Sequence, residues 1–409
     1  MRPPPLYHGN NMSDDAPSLD LRLLGDVLGL AISKNGKKPD ISDLHIHPGL
    51  PIRARYRGGI RELRSCPSGG ACPRPNANSV AALLEQLAGG RSHIKRMLKE
   101  QGGADFAAEV PSRASGRPIR VRVNAYHTRE GVALALRALP LEPPRLDDLG
   151  LPAEQLRSLM RPRGLFLVVG ATGSGKSTTL AALIHEQNQT ASPRGGKHII
   201  TIEDPIEVIH EPRAAIMSQR EVGVHVPSFA EGVRQALRQD PDIIMVGEIR
   251  DSETARAALE AARTGHLVLS TLHTSDTPST LTRLLALFPP EEREEVRYGL
   301  AENLLGILSQ RLIPTSEGRI PIYELFTVDQ HVRELIEKGD MPALRDLVRQ
   351  TGRQTEHQGI IGFDRSLAER VASGKVSLEV AEEYATSVAN LRALVRQLRS
   401  GLASGAQVR

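Results

Sequence analysis

GLFLVVGATGSGKSTTLAALIHEQ, residues 164–187, is the stretch whose reading decides the fold. Leu165 to Val169 are five consecutive apolar residues, the composition of a short strand buried on both faces. TTLAALIHEQ, after Ser177, is rich in helix formers. Between strand and helix, GATGSGKS (170–177) fits GxxxxGK[ST] in the strand–loop–helix context that gives the pattern its meaning. Gly170, Gly173 and Gly175 let the backbone fold closely around phosphates, and successive N–H groups with the helix N-terminus make a positive concavity. Lys176 adds a charge for the β- and γ-phosphates, and the hydroxyl of Ser177 suits Mg²⁺. Gly170, Ala171, Thr172, Gly173, Ser174, Gly175, Lys176, Ser177 and Thr178 are therefore the candidate nucleotide-binding residues.

Working outward, HIITIED (198–204), DIIMVGE (242–248) and HLVLSTL (266–272) are further apolar strands separated by helical stretches. That alternation predicts a parallel sheet in an α/β domain. Hydrolysis needs a group to position water and groups to meet the γ-phosphate, and these belong at the ends of neighbouring strands. Glu248 follows the second strand, Glu203 and Asp204 end the first, and His266 and His273 bracket the third. Three polar clusters beside a phosphate loop point to an active site, with Glu248 placed to orient water or a Mg²⁺-bound water near Ser177.

Before this region, LRLLGDVLGL reads as a short helix, ISDLHIHPG (41–49) and PIRARYRGGIREL (51–63) as strands joined by a turn, residues 79–99 as a helical stretch, and DFAAEV and IRVRVNAY as two more strands. The expected organisation is a flexible tail over 1–20, a small α+β domain over 21–142, a proline-rich linker over 143–152, the α/β core over 153–290 and a helical region over 291–409. The opening MRPPPLYHGNN is loop-like, and Met12 offers a second start.

The whole chain, 409 residues with 40% hydrophobic and 24% charged, is ordinary globular material. The two cysteines, Cys66 and Cys72, are too few for a disulfide framework or a four-ligand zinc site, and read as a solvated loop feature in a reducing, cytoplasmic setting. No apolar run approaches the ~20 residues of a membrane helix. Aromatic residues make up only 3% of the chain, which argues against stacking platforms for single-stranded nucleic acid. The small net charge of +4 hides a division: residues 1–142 carry 21 Lys+Arg against 13 Asp+Glu, and the rest is mildly acidic.

TIEDPIE (201–207), DPDIIMVGEIRDSETARAALEAARTGH (240–266) and LSTLHT (269–274) resemble the Asp box, Walker B and His box of the secretion-superfamily ATPases that drive type IV pili and type II and IV secretion. The resemblance extends to ISDLHI and FAAEVPSRASGRPIRVRVNAY, similar to the N-terminal PAS-like domain of the short pilus-retraction ATPases, and to RLLALFP (283–289), VRELI (332–336) and FDRSLAERVASGKVSLEVA (363–381). It implies a RecA-like P-loop NTPase core preceded by a PAS-like domain and followed by C-terminal helices. It also implies binding of ATP·Mg²⁺ at Gly170–Thr178, with Glu248 as catalytic glutamate, Glu203 and Asp204 assisting at the metal or water, Ser177, Asp204 and Glu248 on the metal side, and His266 and His273 sensing the γ-phosphate. Family members are homohexamers in which basic residues of the N-terminal domain reach nucleotide; Arg122, Arg129 and Arg137 lie in the matching segment, and a guanidinium fork suits phosphate.

The long N-terminal extension and the four-cysteine module of the assembly and type II relatives have no counterpart here, which favours the short retraction type or the short type IV secretion ATPases that resemble it; His331, where a small apolar residue is usual, departs from the retraction motif. The function the resemblance implies is an ATP-hydrolysing hexameric motor of a type IV pilus, in retraction and twitching motility, docked on an inner-membrane platform protein at the cytoplasmic face. The alternatives are a type IV or type II secretion ATPase, a RecA-like nucleic-acid translocase, which the basic first third would recommend, and a nucleotide-gated ring without turnover.

Overall fold

The computed structural model describes residues 19–31, 41–56, 59–67, 70–113, 115–140, 142–190, 195–315, 318–350 and 359–405. Nearly all of the expected tail, Met12 included, lies outside them. The chain divides into two units: residues 1–142 with 204–209, and residues 143–203 with 210–409.

The first unit is built from α1 (Leu21–Ala31), β1 (Ile41–Ile46), β2 (Arg53–Tyr56), β3 (Gly59–Glu62), α2 (Ala77–Ala88), α3 (Ser92–Gln101), β4 (Gly103–Val110), β5 (Ile119–Thr128) and β6 (Gly131–Ala138). Its strands form one antiparallel sheet in the order β3-β2-β1-β6-β5-β4. Strict alternation on β5 buries Ile119, Val121, Val123 and Ala125 with the apolar faces of the helices and turns Arg120 and Arg122 to the opposite face. The single helical stretch expected over 79–99 is two helices. Gly89, in the left-handed region at φ +57°, donates to the carbonyls of Glu85 and Gln86 and ends α2.

The cysteine segment also departs from expectation. Cys66 and Cys72 are joined by a disulfide with Cα atoms 5.1 Å apart, and Cys66 is buried against the core of this unit. The backbone brings the sulfurs together: Cys66 N–H donates to Gly70 O and Cys72 N–H to Arg64 O.

The second unit contains α4 (Ala153–Leu159), β7 (Gly164–Val169), α5 (Lys176–Gln189), β8 (His198–Glu203), β9 (Ile216–Glu221), α6 (Phe229–Ala236), β10 (Ile243–Val246), α7 (Ser252–Arg263), β11 (Leu267–Leu272), α8 (Thr277–Ala286) and α9 (Arg293–Asn303). It continues through β12 (Leu304–Thr315), β13 (Gly318–Thr327), α10 (Gln330–Lys338), α11 (Met341–Gln350), α12 (Phe363–Ala372), α13 (Leu378–Tyr384) and α14 (Val388–Gly405). The sheet order is β13-β12-β7-β11-β10-β8-β9, parallel throughout except for β13. Leu165, Leu167 and Val169 of β7 enter one apolar cluster and Phe166 and Val168 the other, so helices cover both faces and the strand reads as continuous apolar sequence.

A region helical from 291 onward is corrected by β12 and β13, which form a long antiparallel hairpin at one edge of this sheet. β12 lies between β7 and β13, its two faces covered, so LLGILSQRLIPT shows no period-2 alternation and imitates a buried helix. Helices do follow the hairpin, with α12 and α14 packing Phe363, Leu367, Leu391 and Leu394 against Ile313 and Ile322.

Candidate functional site

The phosphate loop is the turn between β7 and α5. Its glycines are required by conformation and by space: φ is +152° at Gly170, +79° at Gly173 and +96° at Gly175. A Cβ on Gly170 would stand 2.4 Å from Gln310 O and from Ser174 Oγ, and one on Gly175 would stand 2.7 Å from Gln310 Nε2. No side chain caps the start of α5. Ala171, Thr172, Gly173, Ser177 and Thr178 are exposed, while Ser174 is buried and its Oγ has no hydrogen-bond partner. A glycine-lined cradle with a free helix N-terminus and exposed hydroxyls fits a triphosphate.

Lys176 lies across this loop. Its ammonium donates to Gly170 O at 2.7 Å and Ala171 O at 3.2 Å, and burial lowers its pKa while the charge of Glu248 opposes that shift. His273 stands 3.4 Å from Lys176 Nζ through Nδ1 and 3.2 Å from Glu248 Oε1 through Nε2. An ammonium only donates and a carboxylate only accepts, so this arrangement selects the neutral tautomer protonated at Nε2. Arg250 Nε holds the other oxygen of Glu248 at 2.8 Å.

The strand ends are tied together behind these side chains. Ser270 Oγ donates to Val246 O, Thr271 Oγ1 donates to Gly247 O, and Ile249 N–H donates to Thr271 O. Gly247 N–H reaches across to Ile202 O. The polar residues of the Walker B and His boxes thus fix the backbone on which Glu248 and His273 project.

Glu203 ends β8, beside β10 and at the same end of the sheet as Glu248, and accepts from Thr201 Oγ1 at 2.7 Å and Gln219 Nε2 at 3.1 Å. Asp204 belongs to the first unit, as do the three arginines. There Arg122 pairs with Asp105 and Glu207, Arg137 with Asp43, and Arg129, almost fully exposed, with Glu130. Among the described residues no group of three or more His, Cys, Asp or Glu could hold a metal. Mg²⁺ at a triphosphate needs only one or two protein ligands besides phosphate and water, so the donor set it requires is no larger than Ser177 and one acid.

His266 is a correction. It precedes β11 at the Gly164 end, where its carbonyl accepts from Gly164 N–H, and its Nδ1 lies 3.0 Å from Ala261 O at the close of α7. The six residues of β11 separate it from the phosphate end, about 20 Å at ~3.3 Å per residue. The two histidines of the box therefore lie at opposite ends of one strand.

Gln310, which the sequence reading passed over, is buried in β12 and accepts from Thr179 Oγ1 of α5 at 2.8 Å. Its carbonyl and amide also abut Gly170 and Gly175. Nothing marked it in sequence, because it lies in the segment that imitates a helix.

Comparison with known proteins agrees with this architecture. The model of the type II/IV secretion system protein family matches residues 106–372. The chain is 41% identical to the Escherichia coli (strain K12) protein YggR over 352 residues, 86% of this chain and 99% of that one. It is 39% identical to the type IV pilus retraction ATPase PilT of Pseudomonas aeruginosa over 85% of this chain and 95% of that one. Among solved structures, the pilus retraction motor PilT with bound ADP superposes with a TM-score of 0.75 at 37% identity, covering 90% of this chain and 98% of that one. The Legionella pneumophila ATPase DotB superposes with 0.71 at 33% identity, covering 84% and 91%. On the family match and on these relatives, the chain belongs to the type II/IV secretion system protein family.

Proposed function

We propose that the chain is the ATP-hydrolysing motor of a type IV pilus, working in retraction as a homohexamer docked on a platform protein at the cytoplasmic face of the inner membrane. It is an ATPase of its family. The finer reading is supported by the names of its Pseudomonas aeruginosa and Neisseria gonorrhoeae relatives, a pilus retraction ATPase and a twitching motility protein. Among the described residues no helix is long and apolar enough to cross a membrane, so attachment would fall to a partner protein.

The observation that carries the chemistry is the Lys176–His273–Glu248 chain beside the phosphate loop. In this reading loop N–H groups and the α5 N-terminus bind the β-phosphate, and Lys176 turns its charge to the γ-phosphate. Glu248, one oxygen held by Arg250 and the other by His273, orients the attacking water; His273 touches both the cation and the carboxylate and couples them. Ser177 and an acid would hold Mg²⁺, which when bound neutralises charge developing on the phosphates.

Steady-state ATPase measurements with a nucleotide-binding assay test these roles. Lys176→Ala should lose binding and turnover together. Glu248→Gln should lower turnover by about 100-fold or more while still binding ATP. A fully active Glu248→Gln protein would sink the assignment of that carboxylate.

A further inference from the structure

Glu324 is a buried carboxylate with no place in the chemistry above. It lies on β13 opposite Ser309 of β12 and is 3% exposed. Its Oε1 accepts from the N–H of Thr277 at 2.9 Å. Thr277 is the first residue of α8, and the loop 273–276 immediately before it carries His273. A second acid completes the anchorage, for Asp276 caps the same helix by accepting from Ser279 N–H at 2.8 Å.

Each carboxylate takes one of the N–H groups that a helix start leaves unpaired, and both sit at the positive end of the helix dipole. The difference is where they come from. Asp276 travels with the loop it caps, whereas Glu324 reaches in from a strand 47 residues away and ties the loop to the sheet. A surface helix start can be satisfied by water; this one is buried, and an unpaired N–H there costs the full desolvation penalty.

We infer that Glu324 is a positioning residue of the ATPase site: by holding the N–H of Thr277 it fixes the loop 273–276, and through it places His273 between Lys176 and Glu248. Burial pushes the Glu324 carboxyl up from the usual carboxylate range, while its bonds to Thr277 and the nearby Arg311 pull the other way. The acceptor oxygen serves in either protonation state, so the amide of glutamine should replace it.

The inference rests on the role proposed for His273, and a double-mutant cycle on the full chain separates the two. Turnover and ATP affinity would be measured for Glu324→Met, Glu324→Gln, His273→Ala and the Glu324→Met/His273→Ala double variant, with thermal unfolding as the control for folding. Glu324→Met should lower kcat about tenfold while ATP affinity stays within about twofold, because the phosphate loop is untouched. Glu324→Gln should keep at least about half of kcat. In the His273→Ala background, Glu324→Met should cost less than about twofold, since its only route to the chemistry has gone.

A full tenfold loss in that background, equal damage from Gln and Met, or an unaffected Glu324→Met protein would each overturn the inference. Full activity of His273→Ala would instead overturn the role of the histidine. Should Glu324→Met not fold, Glu324→Asp, which keeps the carboxyl group but withdraws the acceptor by one methylene, takes its place in the cycle with the same expectations.

Discussion

Gly175 is where the sequence motif and its structural cause can be compared most directly. The pattern GxxxxGK[ST] marks the glycine, but only the structure supplies the reason: φ of +96° and the Gln310 amide where a methyl group would go. Gly175→Ala meets both obstacles. A left-handed conformation imposed on a residue with a side chain costs of the order of 1–3 kcal/mol, and relief requires moving either Gln310, hydrogen-bonded to Thr179, or the start of α5 itself. ATP affinity should fall at least about tenfold, the equivalent of ~1.4 kcal/mol, as read by titration calorimetry with a non-hydrolysable analogue. Unchanged affinity would mean that the loop yields more easily than its contacts imply. At this scale the chain is legible wherever a residue type carries its own chemistry: Lys176, Glu248 and His273, singled out by type and position, come together beside the phosphate loop. The chain is illegible where a residue matters through packing, as with Gln310 and Glu324, or where strand direction decides, as with His266.

At the scale of elements, strands β7, β8, β10 and β11 could be read because each is a short apolar run closed by a polar cluster. β12 and its hairpin partner β13 could not, since β12, inside the sheet with both faces covered, has the composition of a buried helix and lacks a period to identify it. The consequence is measurable at Phe326, which is fully buried in β13 and part of the cluster on one face of the sheet. Phe326→Ala should destabilise the protein by about 3–5 kcal/mol in denaturant unfolding. The exposed Ile60 of β3 is the natural control, and Ile60→Ala should change stability by no more than ~0.5 kcal/mol. An effect no larger than that of the control would mean that Phe326 does not lie between the sheet and its helices. The hairpin also reaches the candidate site: Gln310 on β12 accepts from Thr179 of α5, and Glu324 on β13 accepts from the N–H of Thr277. The elements hardest to recognise in the sequence are those that brace the site.

For the molecule as a whole, part of the uneven charge is engaged internally. Residues 1–142 hold 21 Lys+Arg against 13 Asp+Glu. Several of these arginines are engaged within their own unit: Arg122 with Asp105 and Glu207, Arg137 with Asp43, and Arg120 donating to Ile206 O. Basicity consumed in internal pairs leaves less for a polyanion, and the scarcity of aromatics removes the stacking surface that single strands require. ATPase turnover should therefore be insensitive to added single-stranded DNA, and light scattering should find six copies of the chain per particle. Direction of work follows from the order in which subunits fire, and the deletion phenotype reads it. A motor that withdraws pili removes them from the surface, so deleting its gene should leave excess surface pili and abolish twitching, countable by electron microscopy and on agar. An assembly motor would leave none, and a secretion motor would leave pili unchanged while its exported protein accumulated inside the cell; either result would replace retraction as the reading while leaving the ATPase chemistry of Lys176, Glu248 and His273 to stand on its own measurements.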